Sequence, residues 1–344
     1  IHLIGRSFKY HRPRGFLGVG VEEPNAMVQL HEGNKSEPNI IATEVELVEG
    51  LKAKSQNCWP SVQFDIGEVN NLLNRFFPAG FYYKTFMWPK SFWMKIYEPF
   101  IRKAAGMGVA PLQPDPDRYE HNYEHCDVLV VGSGPSGLAS ALAAAKNGAR
   151  VILAEDKANF GGSLLTDEVT IGNMSGKEWA NDTVAQLKSL PNVILKKRSQ
   201  VFGYYDHNMT VMIERVSDHQ ENPSKYTPRQ RLHYIRAGEV IVSTGSIERP
   251  ISFGNNDRPG ILLASAAKEY MTVYETLVGK KPIIFTNNDT AYSTALEFLK
   301  NDITPVILDT RNNSNGELVK EVKQKGVNIR SVSYTHLRAH ETVG

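Results

Sequence analysis

The chain has 344 residues, of which 41% are apolar and 22% charged, and a formal net charge of +2. That length leaves room for two or three domains with a substantial buried core, and the near-neutral balance gives no reason to expect nucleic acid. No signal peptide or long apolar run appears, which points to a soluble cytoplasmic protein without a membrane partner, and two cysteines, Cys58 and Cys126, are too few for a disulfide framework or a four-thiolate metal site.

In chain order, residues 1–56 carry short strands and turns around Pro13, Gly15, Gly18, Gly20 and Pro24. Alternation over 42–47 predicts a half-buried strand, and Glu49 with Gly50 predicts a turn. The basic cluster Lys9, Arg12 and Arg14 is short and reads as a solvated or domain-contact face. Residues 57–125 form an aromatic-dense connector in which Trp93, Ile96, Tyr97, Phe100 and Ile101 keep helical spacing. Its rings, Phe77, Phe81, Tyr82 and Tyr83 among them, either bury a joint between domains or face a partner subunit. Composition shifts at 111–124 (PLQPDPDRYEHNYE), which reads as a proline- and charge-rich linker. Cys58 and Cys126 read as small core residues.

The stretch 127–156, DVLVVGSGPSGLASALAAAKNGARVILAED, reads as strand, glycine turn, helix, strand and terminal acid. Gly132 permits the tight turn, Gly134 lets the backbone approach a pyrophosphate, and Gly137 lets the helix pack closely on the strand. Glu155 stands eighteen residues past Gly137, near the spacing of a carboxylate that takes a ribose hydroxyl. The glycine pair Gly161 and Gly162 would fold the chain back over the cofactor. An amphipathic helix is predicted over 179–190, then a strand over 193–195. A hairpin of 210–216 and 231–236 follows, and a strand over 239–243 ends in Thr244 and Gly245.

A second unit, KPIIFTNNDTAYSTALEFLKNDITPVILDTR over 281–311, repeats this order and ends in Asp309. Its turn holds Thr286, Asn287, Asn288, Asp289, Thr290 and Ala291 where glycines would stand. Those side chains would crowd a pyrophosphate and Asp289 would repel it, so the unit reads as a nucleotide fold whose ligand site is lost. Both ends of the chain read as cut. Residues 332–344 lose the αβ pattern and read as a non-native tail, so His336 and His340 are not taken as a metal pair.

Together Glu155, the Gly161 and Gly162 pair, Thr244, Gly245 and the second unit resemble the two-dinucleotide-binding flavoproteins of the glutathione-reductase type. The strings GRSFKYHRPRGFLGVGVEEPNAMVQL, PNIIATEVELVEGLKAKSQNCWPSVQFDIG, FPAGFYYKTFMWPKSFWMKIYEPFIRKAAGMG and PDPDRYEHNYEHCDVLVVGSGPSG resemble the alpha subunits of heterotetrameric sarcosine oxidases. That likeness runs from residue 1 to about 331. Related amine and opine dehydrogenase subunits carry a [2Fe–2S] ferredoxin-like domain in the first region. Aligned on RPRG, this chain has Leu17, Glu22, Asn25 and Thr43 at the ligand positions, none of them a thiolate.

The resemblance implies a mixed α/β and α+β fold. A ferredoxin-like domain without cluster ligands would occupy 1–56, the connector 57–125, and a Rossmann-type FAD/NAD(P)-binding domain 126–331, with its degenerate unit at about 281–311. It also implies a subunit that works with beta, gamma and delta partners. Sarcosine would be oxidised at a flavin held by the beta subunit, with FMN at the alpha–beta interface, giving glycine, formaldehyde or methylene-tetrahydrofolate, and hydrogen peroxide. The tetrahydrofolate site would lie in a C-terminal half beyond this chain. The dinucleotide of the first site is implied to be NAD+, with FAD as the alternative, and no iron–sulfur cluster is expected. Gly132, Ser133, Gly134, Pro135, Ser136 and Gly137 would face the phosphates. Glu155 and Asp156 would take the adenosine ribose, and Gly162 and Ser163 the pyrophosphate. Lys157 would cover adenine or phosphate unless it is a solvated lysine. Val201 would hold adenine through its backbone unless it is only core, and Thr244 and Gly245 close the set. No catalytic residue is expected here. The competing readings are a free-standing FAD-dependent NAD(P)H oxidoreductase and a non-catalytic nucleotide-binding scaffold.

Overall fold

The computed structural model describes residues 3–31, 35–76, 80 and 84–332. Phe77, Phe81, Tyr82, Tyr83, His336 and His340 lie outside the described residues. The chain divides into two units, one of residues 1–45, 50–116 and 248–344 and one of 46–49 and 117–247.

The first unit opens with the antiparallel pair β1 (Gly5–Arg6) and β2 (Pro13–Arg14). Their loop is tied by Arg12, whose backbone N–H donates to the Ser7 hydroxyl, and by the Arg6 guanidinium, which donates to the His11 carbonyl. Next, β3 (Met27–Leu30) lies between β4 (Glu37–Ile41) and β5 (Ala53–Ser55), antiparallel to both. The alternation at 42–47 therefore marks the wrong segment. Strand pairing stops at Ile41, opposite Met27, and the chain turns through Ala42–Glu44, with the Ala42 N–H donating to the Ala26 carbonyl at 2.8 Å. After α1 (Val69–Leu72), a π-helical turn Trp93–Tyr97 runs into α2 (Glu98–Ala105), so the aromatic spacing is helical. Several of the connector's rings are open to solvent, Trp88 being 83% and Phe100 70% exposed, while Phe86, Trp93 and Tyr97 are half-buried.

The second unit is built on β6 (Tyr119–Val131), α3 (Pro135–Lys146) and β7 (Val151–Ala154). There follow a hairpin of β8 (Thr170–Ile171) and β9 (Met174–Ser175), then α4 (Gly176–Ser189) and β10 (Val193–Lys196). A meander of β11 (Ser199–Tyr205), β12 (Met209–Arg215) and β13 (Gln230–Val242) completes it. One sheet runs in the order β10-β7-β6-β13-β12-β11, parallel from β10 to β13 and antiparallel from β13 to β11. Val130 and Leu153 pack with Leu138, Ala141 and Leu187, while their neighbours Leu129 and Ile152 pack with Met212 and Ile235. Alternate residues thus bury opposite faces, which is why these strands read as unbroken apolar runs. Each fully buried leucine contributes about 1.5–3 kcal/mol.

Three boundaries in this unit differ from expectation. β6 starts at Tyr119, inside the stretch read as a linker, because its polar half is held by β13: Tyr119 pairs with Gln230, Tyr123 stacks on Tyr234 at 5.0 Å, and Glu120 meets Arg231 at 2.8 Å. The two strands expected over 231–236 and 239–243 are one strand, β13. α4 starts before the expected residue 179, since Ser175 and Glu178 close a capping box.

The first unit resumes with α5 (Ala264–Thr272), β14 (Ile283–Thr286), α6 (Thr290–Lys300), β15 (Val306–Asp309), α7 (Glu317–Gln324) and β16 (Asn328–Ser331). The strands form a parallel sheet in the order β14-β15-β16, and Tyr292, Ile307, Val319 and Val322 form its buried core. No helix among the described residues is long and apolar enough to cross a membrane.

Candidate functional site

The parallel strands β6, β7 and β13 end side by side, and the loops that leave them carry the glycine turn, Glu155, and Thr244 with Gly245. Ligands of open α/β sheets bind at this carboxyl edge. Gly132 sits at φ +94° with its N–H donating to the Ala154 carbonyl at 2.8 Å. A Cβ on Gly132 would overlap the Ser243 carbonyl, and one on Gly137 would overlap the Gly132 carbonyl, so the turn closes only with glycine. Gly134 differs: a Cβ there would meet nothing within 4 Å. It is the N-cap of α3 and offers no capping side chain, and Pro135 fills the first helical position, where no N–H is needed. The amides of Ser136 and Gly137 are left without an intrahelical acceptor, at the positive end of the helix dipole.

Glu155 joins this turn from the end of β7. One carboxylate oxygen accepts the Ser133 N–H at 2.9 Å and the Ser133 hydroxyl, and the other accepts the Lys157 N–H at 3.1 Å. Burial, with Asp156 adding, pushes the Glu155 carboxyl up to about 7, although the Ser133 hydrogen bonds act the other way. The Gly161 N–H donates to the Ser133 carbonyl at 3.1 Å, and a Cβ on Gly162 would come within 2.8 Å of the Gly134 Cα. The glycine pair therefore lies directly on the turn.

The other expected residues fall around this centre. Asp156 is half-buried, and its carbonyl accepts from the Arg215 guanidinium at 2.7 Å. Lys157 is half-buried, with its carbonyl accepting the Arg198 N–H at 3.1 Å. Pro135, Ser136, Ser163, Thr244 and Gly245 are exposed at the edge. Val201 lies in β11 and packs on the core of Leu129, Ile152 and Met212. Sequence reasoning missed Arg215 and the part played by the Ser133 hydroxyl. Arg215 reaches the site through the register of β12, for which the sequence around the turn holds no signal.

In the second αβ unit the acid at the end of β15 is already taken. Asp309 accepts from the Tyr292 hydroxyl at 2.7 Å and pairs with Arg311 at 2.7 Å, and Arg311 also pairs with Asp289 at 2.8 Å. Burial opposes ionisation of Asp309, but the hydrogen bonds from Arg311 and Tyr292 outweigh it and hold the carboxyl below its usual range.

Residues 1–58 match the family model of 2Fe-2S iron-sulfur cluster binding domains, and residues 127–208 match that of FAD dependent oxidoreductases. Sarcosine oxidase subunit alpha of Rhizobium meliloti (strain 1021) is 51% identical over 310 residues, covering 90% of this chain and 31% of that one. Its counterpart in Corynebacterium sp. (strain P-1) is 34% identical over 312 residues, covering 89% and 27%. The chain thus spans 31% or less of the length of these relatives. The crystal structure of L-proline dehydrogenase from P. horikoshii aligns with a TM-score of 0.57 at 17% identity, over 92% of this chain and 49% of that chain, a likeness of fold alone.

Two cofactor expectations are corrected by these matches. The NAD+ expected in the first site is set against the match of 127–208 to the family model of FAD dependent oxidoreductases. The glycine turn, helix terminus and carboxylate recognise the ADP half that both dinucleotides share, so these residues do not separate the two. The expectation of no iron–sulfur cluster is overturned by the match of 1–58 to cluster-binding domains. The span keeps its β1–β2 hairpin and buries Val19, Ala26, Val28 and Leu30, and the lack of thiolates at Leu17, Glu22, Asn25 and Thr43 does not remove its match to the family model. As donors, the span offers one thiol, Cys58, and among the described residues no three His, Cys, Asp or Glu side chains converge on a metal position, so the residues present do not fit a cluster's four ligands. By these matches the chain is a homologue of the sarcosine oxidase alpha subunit, with a 2Fe–2S ferredoxin-type domain ahead of a Rossmann-like FAD-dependent oxidoreductase domain.

Proposed function

We propose that the chain is the dinucleotide-holding part of a sarcosine oxidase alpha subunit, with FAD at the carboxyl edge of β6, β7 and β13. The observation that carries this is the complete cradle of open Gly134, free helix amides and buried Glu155 within a chain 51% identical to such a subunit. FAD, when bound, supplies a two-electron acceptor. The chain's own residues hold and orient it. The Ser136 and Gly137 amides take the pyrophosphate, and Gly134 leaves its approach clear. Glu155 takes the ribose hydroxyls while the N–H groups of Ser133 and Lys157 fix its carboxylate. Gly162 and Ser163 cover the turn, Asp156 and Lys157 flank the ribose, and Thr244 and Gly245 border the far side.

The whole enzyme would oxidise the CH–NH bond of sarcosine, with water and oxygen consumed and glycine, formaldehyde and hydrogen peroxide released. That centre lies outside this chain. The exposed Trp88 and Phe100 support a face of the connector turned toward the flavin-bearing beta subunit. The engagement of Asp289 and Asp309 by Arg311 weighs against a second dinucleotide site, and so against a free-standing NAD(P)H reductase.

The test is a titration of the purified chain with FAD, followed by assays of the loaded chain with sarcosine and with NADH. Saturable binding with no turnover of either substrate is expected, and sarcosine-dependent peroxide should form only when the full alpha subunit is assembled with its partners. Oxidation of NADH by the chain alone would overturn the assignment.

A further inference from the structure

A cavity of about 640 Å³ lies within the unit of 1–45, 50–116 and 248–344 and shares no residue with the glycine turn. It opens beside the β1–β2 hairpin, which brings to its lining the basic cluster that reads in sequence as a solvated or domain-contact face. Four cations, Arg6, Lys9, Arg12 and Arg14, line it against one carboxylate, Asp257. Arg6 is committed, with its guanidinium donating to the carbonyls of His11, Val62 and Gln63 and pairing with Glu68 at 2.9 Å. Arg12 and Arg14 instead share Asp257, at 2.7 and 3.0 Å, and their side chains are only 25% and 24% exposed. One negative charge therefore answers two guanidiniums. Burial, with Arg12 and Arg258 adding, lowers the Arg14 pKa although Asp257 opposes the change.

Half-buried guanidiniums in excess over carboxylates, set in a concavity, are suited to phosphate oxygens. The volume is that of a nucleotide-sized ligand, and Phe8 and Tyr10 in the wall offer flat faces for a base. We propose that this cavity binds a phosphate monoester of nucleotide size, whose phosphate takes Arg12 and Arg14 in place of Asp257.

The probes are uridine 5′-monophosphate, inorganic phosphate and uridine, titrated calorimetrically into the whole chain. Both phosphates should bind saturably and compete with each other, the monoester more tightly, and uridine should not bind. Arg14→Gln should weaken the monoester about tenfold or more. Lys9→Gln should weaken it too, and keeps the test open if Arg14→Gln fails to fold. Asp257→Asn should tighten it about fivefold, because a competing charge is gone, whereas a purely structural role for Asp257 would not strengthen binding. Gly134→Glu, in the dinucleotide cradle, should change nothing. The proposal is overturned if the monoester does not bind, if inorganic phosphate binds as well or better, if Asp257→Asn weakens binding, or if Gly134→Glu abolishes it while Arg14→Gln and Lys9→Gln do not.

Discussion

Replacing Glu155 with Gln separates what the buried charge costs from what it does. The residue is 6% exposed, and burial, with Asp156 beside it, raises its pKa from 4.5 to about 7. A shift of that size disfavours the ionised form by about 3 kcal/mol. In the unfolded chain the group ionises near its ordinary value, so the folded state holds an extra proton up to pH 7. Its stabilising contribution is full below about pH 4.5 and is lost as the pH rises through 7. Gln carries no charge and escapes that loss. The substitution has its own cost, because an amide NH2 replaces the oxygen that accepts from Lys157, at about 1 kcal/mol. The dinucleotide-free variant should therefore be about 2 kcal/mol more stable than the parent at pH 8 and about 1 kcal/mol less stable at pH 4. FAD should bind about tenfold more weakly, since a hydrogen bond to a charged acceptor exceeds one to a neutral acceptor by about 1–1.5 kcal/mol. Urea denaturation at the two pH values and an FAD titration at pH 8 measure both. A variant less stable than the parent at pH 8, or one that keeps the parent's pH slope, refutes the buried-charge argument. Unchanged FAD affinity refutes the ribose role.

Two further substitutions test parts away from the cradle. His233 is fully buried, with its ring nitrogens 2.7 Å from Glu124 and from Glu214. His233→Leu strands two carboxylates and should cost about 3 kcal/mol in urea denaturation, with Lys196 at 3.1 Å from Glu124 and Arg231 at 3.2 Å from Glu214 limiting the loss. Arg311→Met should cost a similar amount, about 3 kcal/mol, yet leave FAD affinity unchanged. The parent's Asp309, held low, contributes stability above about pH 4 that is lost as the pH falls through its folded pKa. In the variant the sign reverses, and melting temperatures should rise from pH 8 toward pH 5. A lowered FAD affinity in Arg311→Met would show that the second unit takes part in binding.

The cradle was legible because its causes are local. Gly132, Gly134 and Gly137 each answer a backbone need within one turn, and Glu155 follows at a spacing fixed by the helix and strand between them. The helix of the connector was legible for the same reason, from its ring spacing. What escaped was set by distant partners. Tyr119 to Glu124 looks like a linker because its polar residues have no apolar run, yet it is strand because Tyr234 stacks on Tyr123 and Arg231 pairs with Glu120. The strand at 37–41 was misplaced because its end depends on where β3 begins. Arg215 reaches Asp156 only through the β12 register, and the choice between FAD and NAD+ lies in the half of the dinucleotide that the glycine turn does not touch.

Gly134 is the open face of the proposed FAD cradle, and Gly134→Ala tests that role directly. A Cβ there meets nothing within 4 Å, and the residue has a φ of −64° that alanine adopts freely. Stability of the free protein should change by no more than about 1 kcal/mol, the difference between glycine and alanine at an N-cap. The same methyl would stand where the pyrophosphate approaches, so FAD affinity should fall by about a hundredfold, read as recovery of free-flavin fluorescence in a titration. An alanine variant that binds FAD as the parent does, or a parent chain that binds no FAD, would contradict it.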